Sequence, residues 1–373
     1  MVAKRVLITG GAGFIGSHVA DVLLARGYAV RVLDNLTPQV HGASAQRPDY
    51  LDRDAELMIG DVRDAETVAR SLRGVDAVIH LAAAVGVGQS MYDIAAYVGV
   101  NEVGTAVLLE ALLKQPVQRL VVASSMSIYG EGLARDGSGR LVAPAERSLE
   151  QLQRGRWDLE GPNGETLEPV PTPEGKQPAL SSVYALNKYA QERLCLIAGR
   201  AYGIPTVALR FCNVFGPRQA LSNPYTGVLA IFGSRLLNGR PPLVFEDGHQ
   251  QRDFVHVSDV AEACRLALEN ERAAHQVFNI GSGQQRTILS IAEDLAQVMG
   301  RPQLTPHVTG KYRAGDIRHC FADIARSREV LGFAPRKDFR TGLAELAEWL
   351  SHQVAEDRVE HAAAELERRG LVA

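Results

Sequence analysis

The sequence predicts an α/β fold: a parallel sheet doubly wound by helices, followed by a smaller C-terminal α/β domain. Three observations carry that expectation. Short β-branched runs alternate with amphipathic helical stretches through the first third of the chain, the pattern of a parallel sheet covered on both faces. A glycine-rich segment stands where the first such run meets the first helical stretch. The chain has 373 residues, enough for one large or two medium domains with a substantial core.

Taken in order, Val6-Leu7-Ile8, Val30-Arg31-Val32-Leu33, Ala77-Val78-Ile79-His80 and Leu120-Val121-Val122-Ala123 are the expected strands. Between them, Gly16 to Arg26, Ala65 to Leu72 and Glu102 to Leu113 show helical periodicity. Thr206 to Arg210 and Val277 to Ile280 predict further strands. Residues 132–178 break the rhythm with Gly, Pro and charge, and a connection this long is a lid, a partner-binding segment, a partly disordered stretch or a tolerated surface insertion. The last residues, 351–373, are Ala-rich and densely charged, and read as a helix or frayed tail. The expected organisation is a first domain over 1–212 with the insertion 132–178 and a return segment near 252–280, a second domain over 213–350, and the tail.

Composition narrows the function classes. The formal charge is −3 with both signs mixed, and no basic block suggests nucleic acid or an acidic lipid surface. Cys195, Cys212, Cys264 and Cys320 lie far apart without C-x-x-C spacing, which disfavours a zinc site or disulfide framework and fits a reducing compartment. No targeting segment or apolar span near 20 residues is read, so the expectation is a soluble cytoplasmic protein with no membrane partner and no metal.

Thr9-Gly10-Gly11-Ala12-Gly13-Phe14-Ile15-Gly16 joins a strand to a helix, the context of a Rossmann-type dinucleotide loop. Glycines allow the tight turn and close approach to a pyrophosphate, and the helix N-terminus offers unpaired N–H groups and a positive dipole. Asp34 closes the second strand 18 residues past Gly16, close to the spacing of a carboxylate that accepts from adenosine ribose hydroxyls. That charge would repel a 2′-phosphate, which favours NAD over NADP. Read alone, Asp34 is also compatible with a capping or turn aspartate.

Tyr184-Ala185-Leu186-Asn187-Lys188 places a phenol and an ammonium one helical turn apart. Lowering a phenol from about 10 by roughly 3 units takes about 4 kcal/mol, and a cation at about 4 Å supplies about that much at an effective dielectric of roughly 20. Lys188 is therefore expected to make Tyr184 an acid-base catalyst beside a hydride acceptor.

With these motifs the chain resembles the extended short-chain dehydrogenase/reductase family, in its nucleotide-sugar epimerase and dehydratase branch. The marks are Thr9 to Gly16, Asp34-Asn35-Leu36, Gly60-Asp61-Val62, His80-Leu81-Ala82-Ala83, Asn101, Ser124 to Gly130 and Tyr184 to Lys188, and the likeness runs from about Arg5 to Leu350. The resemblance implies that NAD is held by Gly10, Gly13, Phe14, Ile15, Gly16, Asp34, Asn35, Asp61, Val62, Leu81, Ala82, Ala83, Asn101, Ser124, Tyr184 and Lys188. Asp61 and Val62 would lie at the adenine, and Lys188 at the nicotinamide ribose.

It also implies that Ser125, Tyr184 and Lys188 are catalytic, Ser125 bonding the reacting sugar oxygen, with Ser127 a weaker candidate for the same work. Nucleotide-sugar 4,6-dehydratases carry Asp-Glu after that serine, where this chain has Met126-Ser127, and neither side chain does that acid-base work at ordinary pKa values. Related uronic acid decarboxylases usually place a Glu at the Ser127 position, and C3/C5 epimerase-reductases use a Cys and a His. What remains suffices to oxidise and re-reduce one carbinol, C4, through a 4-keto sugar.

By the same resemblance Asn213, Arg252 and Arg313 would hold the diphosphate of a nucleoside-diphosphate sugar, with Asp316 near a ribose. Taken singly, each reads rather as a surface ion pair worth under about 1 kcal/mol, and only together do they read as an anion clamp. Cys320 falls where some relatives carry a gatekeeper, and His80, His256 and His319 read as structural. Val85 to Tyr92, Ala123 to Glu131, the long segment after Tyr129, and Ala220 to Gly227 are most similar to enzymes interconverting dTDP-L-rhamnose and dTDP-6-deoxy-L-talose. UDP-glucose 4-epimerases and nucleotide-sugar 4-ketoreductases or dehydrogenases are the alternatives, with a non-catalytic NAD-dependent scaffold the third class. The helices expected at Glu102 to Leu113 and Lys188 to Ala201 resemble the pair that forms a homodimer interface in this family.

Overall fold

A computed structural model describes residues 4–42, 46–220, 227–313, 315–353, 365 and 368–372. Its centre is a seven-stranded sheet in which every neighbouring pair is parallel, in the order Gln276–Ile280, Thr206–Phe211, Arg119–Ser125, Ala77–His80, Arg5–Thr9, Ala29–Asp34 and Glu56–Ile59. Chain order reverses between Arg5–Thr9 and Ala77–His80. Such a switch point opens a crevice at the carboxyl ends of the strands, where ligands of open α/β sheets bind.

Both faces of this sheet are apolar because both are covered. Val6, Ile8, Ile79, Val121 and Val207 enter one core cluster with Phe278. Their alternates Leu7, Val78, Leu120, Val122 and Ala208 enter another. The first lies against the helices Phe14–Ala25 and Val257–Glu269, which pack on each other. The second lies against Ala65–Ser71, Gly104–Lys114 and Val183–Ala201.

The strand Glu56–Ile59 escapes the sequence reading because it is an edge strand with a half-exposed pattern and no β-branched run, Ile59 being 62% exposed. The helix expected from Glu102 begins earlier, at Ile94, and runs through a π-helical stretch, Gly99–Val103, before Gly104–Lys114; two glycines hide its local signal. Ile94–Lys114 has 21 residues of mean hydropathy 1.3, long and apolar enough to cross a membrane by length and composition. This corrects the expectation that no such span exists. In the structure the run packs against Ala65–Ser71 and Val183–Ala201, as a core helix does.

A smaller unit follows. Asn213–Phe215 pairs parallel with Gln251–His256, which also pairs antiparallel with Gln285–Thr287 and parallel with His319–Cys320. Phe215, Phe232, Phe254, Leu295, Phe339 and Leu346 belong to its core, to which the helices Val228–Leu237, Ile288–Val298 and Phe339–Ser351 contribute. The segment 132–178 has structure of its own: Ala134–Arg135 pairs antiparallel with both Leu141–Val142 and Glu168–Pro169, over a small core of Ala134, Leu159 and Leu167. Arg147 reaches Glu246 at 2.9 Å and the Asp316 carbonyl at 2.9 Å, and Arg318 reaches Asp158 at 2.9 Å. These ties seat the insertion on the smaller unit. Residues 221–226 and most of the tail beyond 353 lie outside the described residues, and with them most of the Ala220 to Gly227 likeness and of the expected tail helix.

Candidate active site

Gly10 adopts φ +70°, and a Cβ there would stand 2.8 Å from the Ala82 nitrogen. At Gly16 a Cβ would stand 2.3 Å from the Gly10 carbonyl, so the helix Phe14–Ala25 can enter the turn only with glycine. That helix starts from Gly13 with neither a capping side chain nor an acidic residue in its first turn. Its exposed N–H groups and positive dipole therefore suit an anion. Phe14 and Ile15 form its first two positions.

Asp34 ends its strand and accepts from the backbone N–H of Ala12 at 3.0 Å and of Leu36 at 3.0 Å. It thus ties the glycine loop to the second strand, with carboxylate lone pairs left over. Asn35 donates to Asp61 at 3.2 Å. Asp61 also accepts a fork from Arg63 at 2.9 and 2.8 Å, and this cation holds its carboxyl down at about 2. Val62 is buried beside it.

Across the crevice, the Leu81 N–H donates to the Thr9 carbonyl at 3.0 Å and the Ala82 N–H to the Thr9 hydroxyl at 3.3 Å. Ala83 leads into Ala84, whose amide and carbonyl are stapled by the Asn101 side chain at 2.7 and 3.0 Å. In this structure Asn101 shapes that loop through its whole amide.

Ser125 is the last residue of Arg119–Ser125, and its Oγ accepts from the Ser127 N–H at 3.1 Å and the Ser127 hydroxyl at 2.9 Å. The Ser182 side chain caps the helix Val183–Ala201, which brings the Tyr184 phenol near enough to the Ser125 hydroxyl for the latter to favour its ionised form. Ser90 fixes the start of this helix by accepting from the Tyr184 N–H at 3.0 Å. Lys188, one turn on, donates to Gln191 Oε1 at 2.7 Å.

The electrostatics differ from the spacing argument. Burial pushes the phenol of Tyr184 up to about 12, the Ser125 hydroxyl only partly countering it. Burial likewise pushes Lys188 down to about 8. Both shifts come from desolvation, which disfavours the charged form of each group and which residue spacing does not reveal.

The hydroxyl of Ser124 is committed elsewhere, donating to Glu192 at 2.7 Å. Glu192 also accepts two bonds from Arg210, at 2.9 and 2.7 Å. Arg210 donates to the Tyr129 hydroxyl at 2.8 Å, which donates on to Asn279 at 2.7 Å. This buried network underlies the reacting end of the strand, and only main-chain atoms of Ser124 remain for a cofactor. Glu192 stands one turn past Lys188, a spacing that could have pointed to it.

The expected phosphate grip is only partly assembled. Arg252 and Asp316 face each other at 3.7 Å, but Arg252 donates to the carbonyls of Gln251 and Arg318 at 2.9 Å each, and to that of Ile317. Arg313 lies over the Phe245 ring at 4.5 Å. Asn213 donates to the Asp253 carbonyl at 3.2 Å. Sequence reading missed Glu131, Arg147, Glu246 and Arg318, which are joined by buried ion pairs, Glu131 and Arg147 also lining a cleft with Gly315, Asp316 and Ile317; no spacing pattern links residues so far apart. His80, His256 and His319 are buried and held neutral, at about 3, 4 and 3.

A sequence model of the NAD dependent epimerase/dehydratase family matches residues 6–149 and 160–281. The chain belongs to this family. It is accordingly an NAD-dependent enzyme, and the glycine cradle, the uncapped helix start and Asp34 fit that dinucleotide. Among its relatives, a dTDP-L-rhamnose 4-epimerase of Burkholderia thailandensis is 39% identical over 94% of this chain and 96% of the relative. A putative UDP-glucose 4-epimerase of Methanocaldococcus jannaschii is 30% identical over 93% and 98%. The UDP-glucose 4-epimerase of Thermotoga maritima with UDP-glucose superposes with a TM-score of 0.77 at 32% identity, over 93% of this chain and 99% of that one. The UDP-glucose 4-epimerase of Thermus thermophilus complexed with NAD gives 0.74 at 32% identity, over 94% and 100%.

Proposed function

We propose that this member of the epimerase/dehydratase family is an isomerase that inverts C4 of a nucleoside-diphosphate sugar, interconverting dTDP-L-rhamnose and dTDP-6-deoxy-L-talose. One observation carries the reading: Ser125 ends its strand at the carboxyl edge of the sheet, near enough to the Tyr184 phenol to favour its ionised form, with Lys188 one helical turn on from Tyr184, while Met126 and Ser127 supply no further acid or base.

NAD, which Gly10, Gly13, Gly16 and Asp34 would hold, would supply reversible two-electron chemistry at C4. Tyr184 takes the C4 hydroxyl proton and gives it back, and Ser125 holds the same oxygen. Lys188 steadies the nicotinamide ribose and favours the phenolate. Asn213, Arg252, Arg313 and Asp316 retain the sugar nucleotide at its far end while the keto sugar turns over. Binding energy from a remote group then serves the reacting centre. For this, Arg252 and Arg313 must exchange their present carbonyl and ring partners for phosphate oxygens. In this reading residues 1–212 with the return strand hold the cofactor and 213–350 the sugar nucleotide.

The dTDP-6-deoxyhexose pair is supported by the similarity to the Burkholderia enzyme. The second reading, UDP-glucose, is supported by the Thermotoga and Thermus likenesses. We extend the proposal to a cytoplasmic homodimer. Exposed apolar residues recur on two adjacent helical stretches, with Val103 and Leu113 on one and Leu186 and Ile197 on the other.

The test is incubation of purified protein with dTDP-L-rhamnose, UDP-glucose and UDP-N-acetylglucosamine separately, following C4 configuration by proton NMR. Inversion of dTDP-L-rhamnose without added NADH supports the proposal. No inversion in any, with stoichiometric NADH consumption on a keto sugar, points to a ketoreductase instead.

A further inference from the structure

A continuous buried chain of hydrogen bonds leads from the first strand to Lys188. Thr9 Oγ lies 2.7 Å from His80 Nδ1, and His80 Nε2 lies 2.9 Å from Thr105 Oγ. Thr105 commits its own hydrogen to the Asn101 carbonyl, so toward His80 it accepts, which places the His80 proton on Nε2. Thr105 accepts a second bond from Gln191 Nε2 at 2.9 Å. The amide of Gln191 is thereby oriented, and the atom it presents to Lys188 is its oxygen, at 2.7 Å. All five side chains except that of Lys188 are uncharged, and all are buried.

We infer that Gln191 is a positioning residue for Lys188: it aims the ammonium through a single acceptor that Thr105 and His80 hold in one orientation. The consequence is both geometric and electrostatic. A lysine ammonium has three donors on a flexible stem, and a fixed acceptor removes the freedom that misplaces it. A neutral acceptor also leaves the ammonium's charge uncompensated by this contact, where a carboxylate would offset it. The titratable groups acting on Lys188 are Cys195 and Glu192 from its own helix and His80 from the neighbouring strand, with Tyr184 one helical turn before it. Glu102, from the π-helical stretch packed on this helix, is bonded to Asn187 instead. With Glu192 bound to Arg210 and Ser124, Gln191 is the direct polar partner of the ammonium.

The experiment compares Gln191→Glu and Gln191→Met, both near-isosteric, in the purified holoenzyme. Two readouts are the pH profile of kcat and the titration of the Lys188 Cε signal by carbon-13 NMR. Gln191→Glu is expected to move the alkaline limb and the Lys188 midpoint upward by about 1 pH unit, because a carboxylate favours the ammonium, and Gln191→Met to move both downward by a similar amount. Either variant should lower kcat by about tenfold or more. Opposite shifts support the inference. Limbs and midpoints that stay in place while the melting temperature and kcat fall together show a merely structural amide and overturn it. The kinetic readout rests on the proposed reaction, whereas the NMR midpoint needs no substrate, so failure of one is distinguishable from failure of the other. Should the Met variant not fold, the sign of the Glu variant's shift still decides.

Discussion

Glu192→Gln is the substitution whose cost the structure defines best. The Glu192 and Arg210 side chains are 1% and 6% exposed and meet at 2.7 Å. The carboxylate accepts three bonds, two from Arg210 and one from Ser124. The amide keeps the shape but offers one acceptor oxygen in place of two, turns an NH₂ toward groups that are themselves donors, and leaves Arg210 without its counter-charge. Breaking a buried pair on one side costs about 3–5 kcal/mol. At a slope of about 3 kcal/mol per molar, the urea midpoint should fall by about 1 M or more. The Arg210→Met/Glu192→Leu double variant should recover much of that loss, since it removes both charges. Because Ser124 adjoins Ser125, kcat of the single variant should also fall by about tenfold. The assay is urea unfolding followed by fluorescence, with wild type, single and double variants in parallel. A midpoint shift below about 0.3 M in Glu192→Gln, under about 1 kcal/mol at that slope, would refute the reasoning.

Three further outcomes are expected. Tyr184→Phe should retain bound NAD, seen by absorbance after denaturation, while kcat falls by about 10²–10⁴-fold; near-normal turnover would remove Tyr184 from the proton path. Arg63→Ala should cost about 1 kcal/mol, the half-exposed pair being screened by solvent. Asp61 has its folded pKa depressed to about 2 from 3.8, so that difference should be present above pH 4 and vanish as pH falls through 2, which unfolding at stepped pH would show. Arg147→Ala should open the insertion, because Arg147 is bonded to Glu246 and to the Asp316 carbonyl; limited proteolysis should then nick within 132–178 well before global unfolding, and unchanged cleavage would count against the tie.

Much of this protein is legible along the chain where the cause is local. The glycines of Thr9–Gly16 announce a turn because no side chain fits at Gly10 or Gly16. The alternation of Val6, Leu7 and Ile8 announces a strand buried on both faces. Tyr184 and Lys188 are neighbours by helix geometry alone. The edge strand Glu56–Ile59 was hidden because half its surface meets solvent, and the start of the helical run at Ile94 because glycines interrupt its pattern.

Residue order determined, by itself, the sheet-and-helix class, the dinucleotide loop and the one-turn spacing of Tyr184 and Lys188, since each depends on periods of two or four residues or on the lack of a Cβ. Tertiary structure alone decided how those groups are charged and who their neighbours are. Burial, which raises Tyr184 and lowers Lys188, arises from side chains distant in sequence closing over one another. So do the Glu192–Arg210 pair beneath Ser124 and the Gln191 acceptor fixed by Thr105 and His80. Desolvation is a property of the packed volume around a group, and linear spacing carries no measure of it.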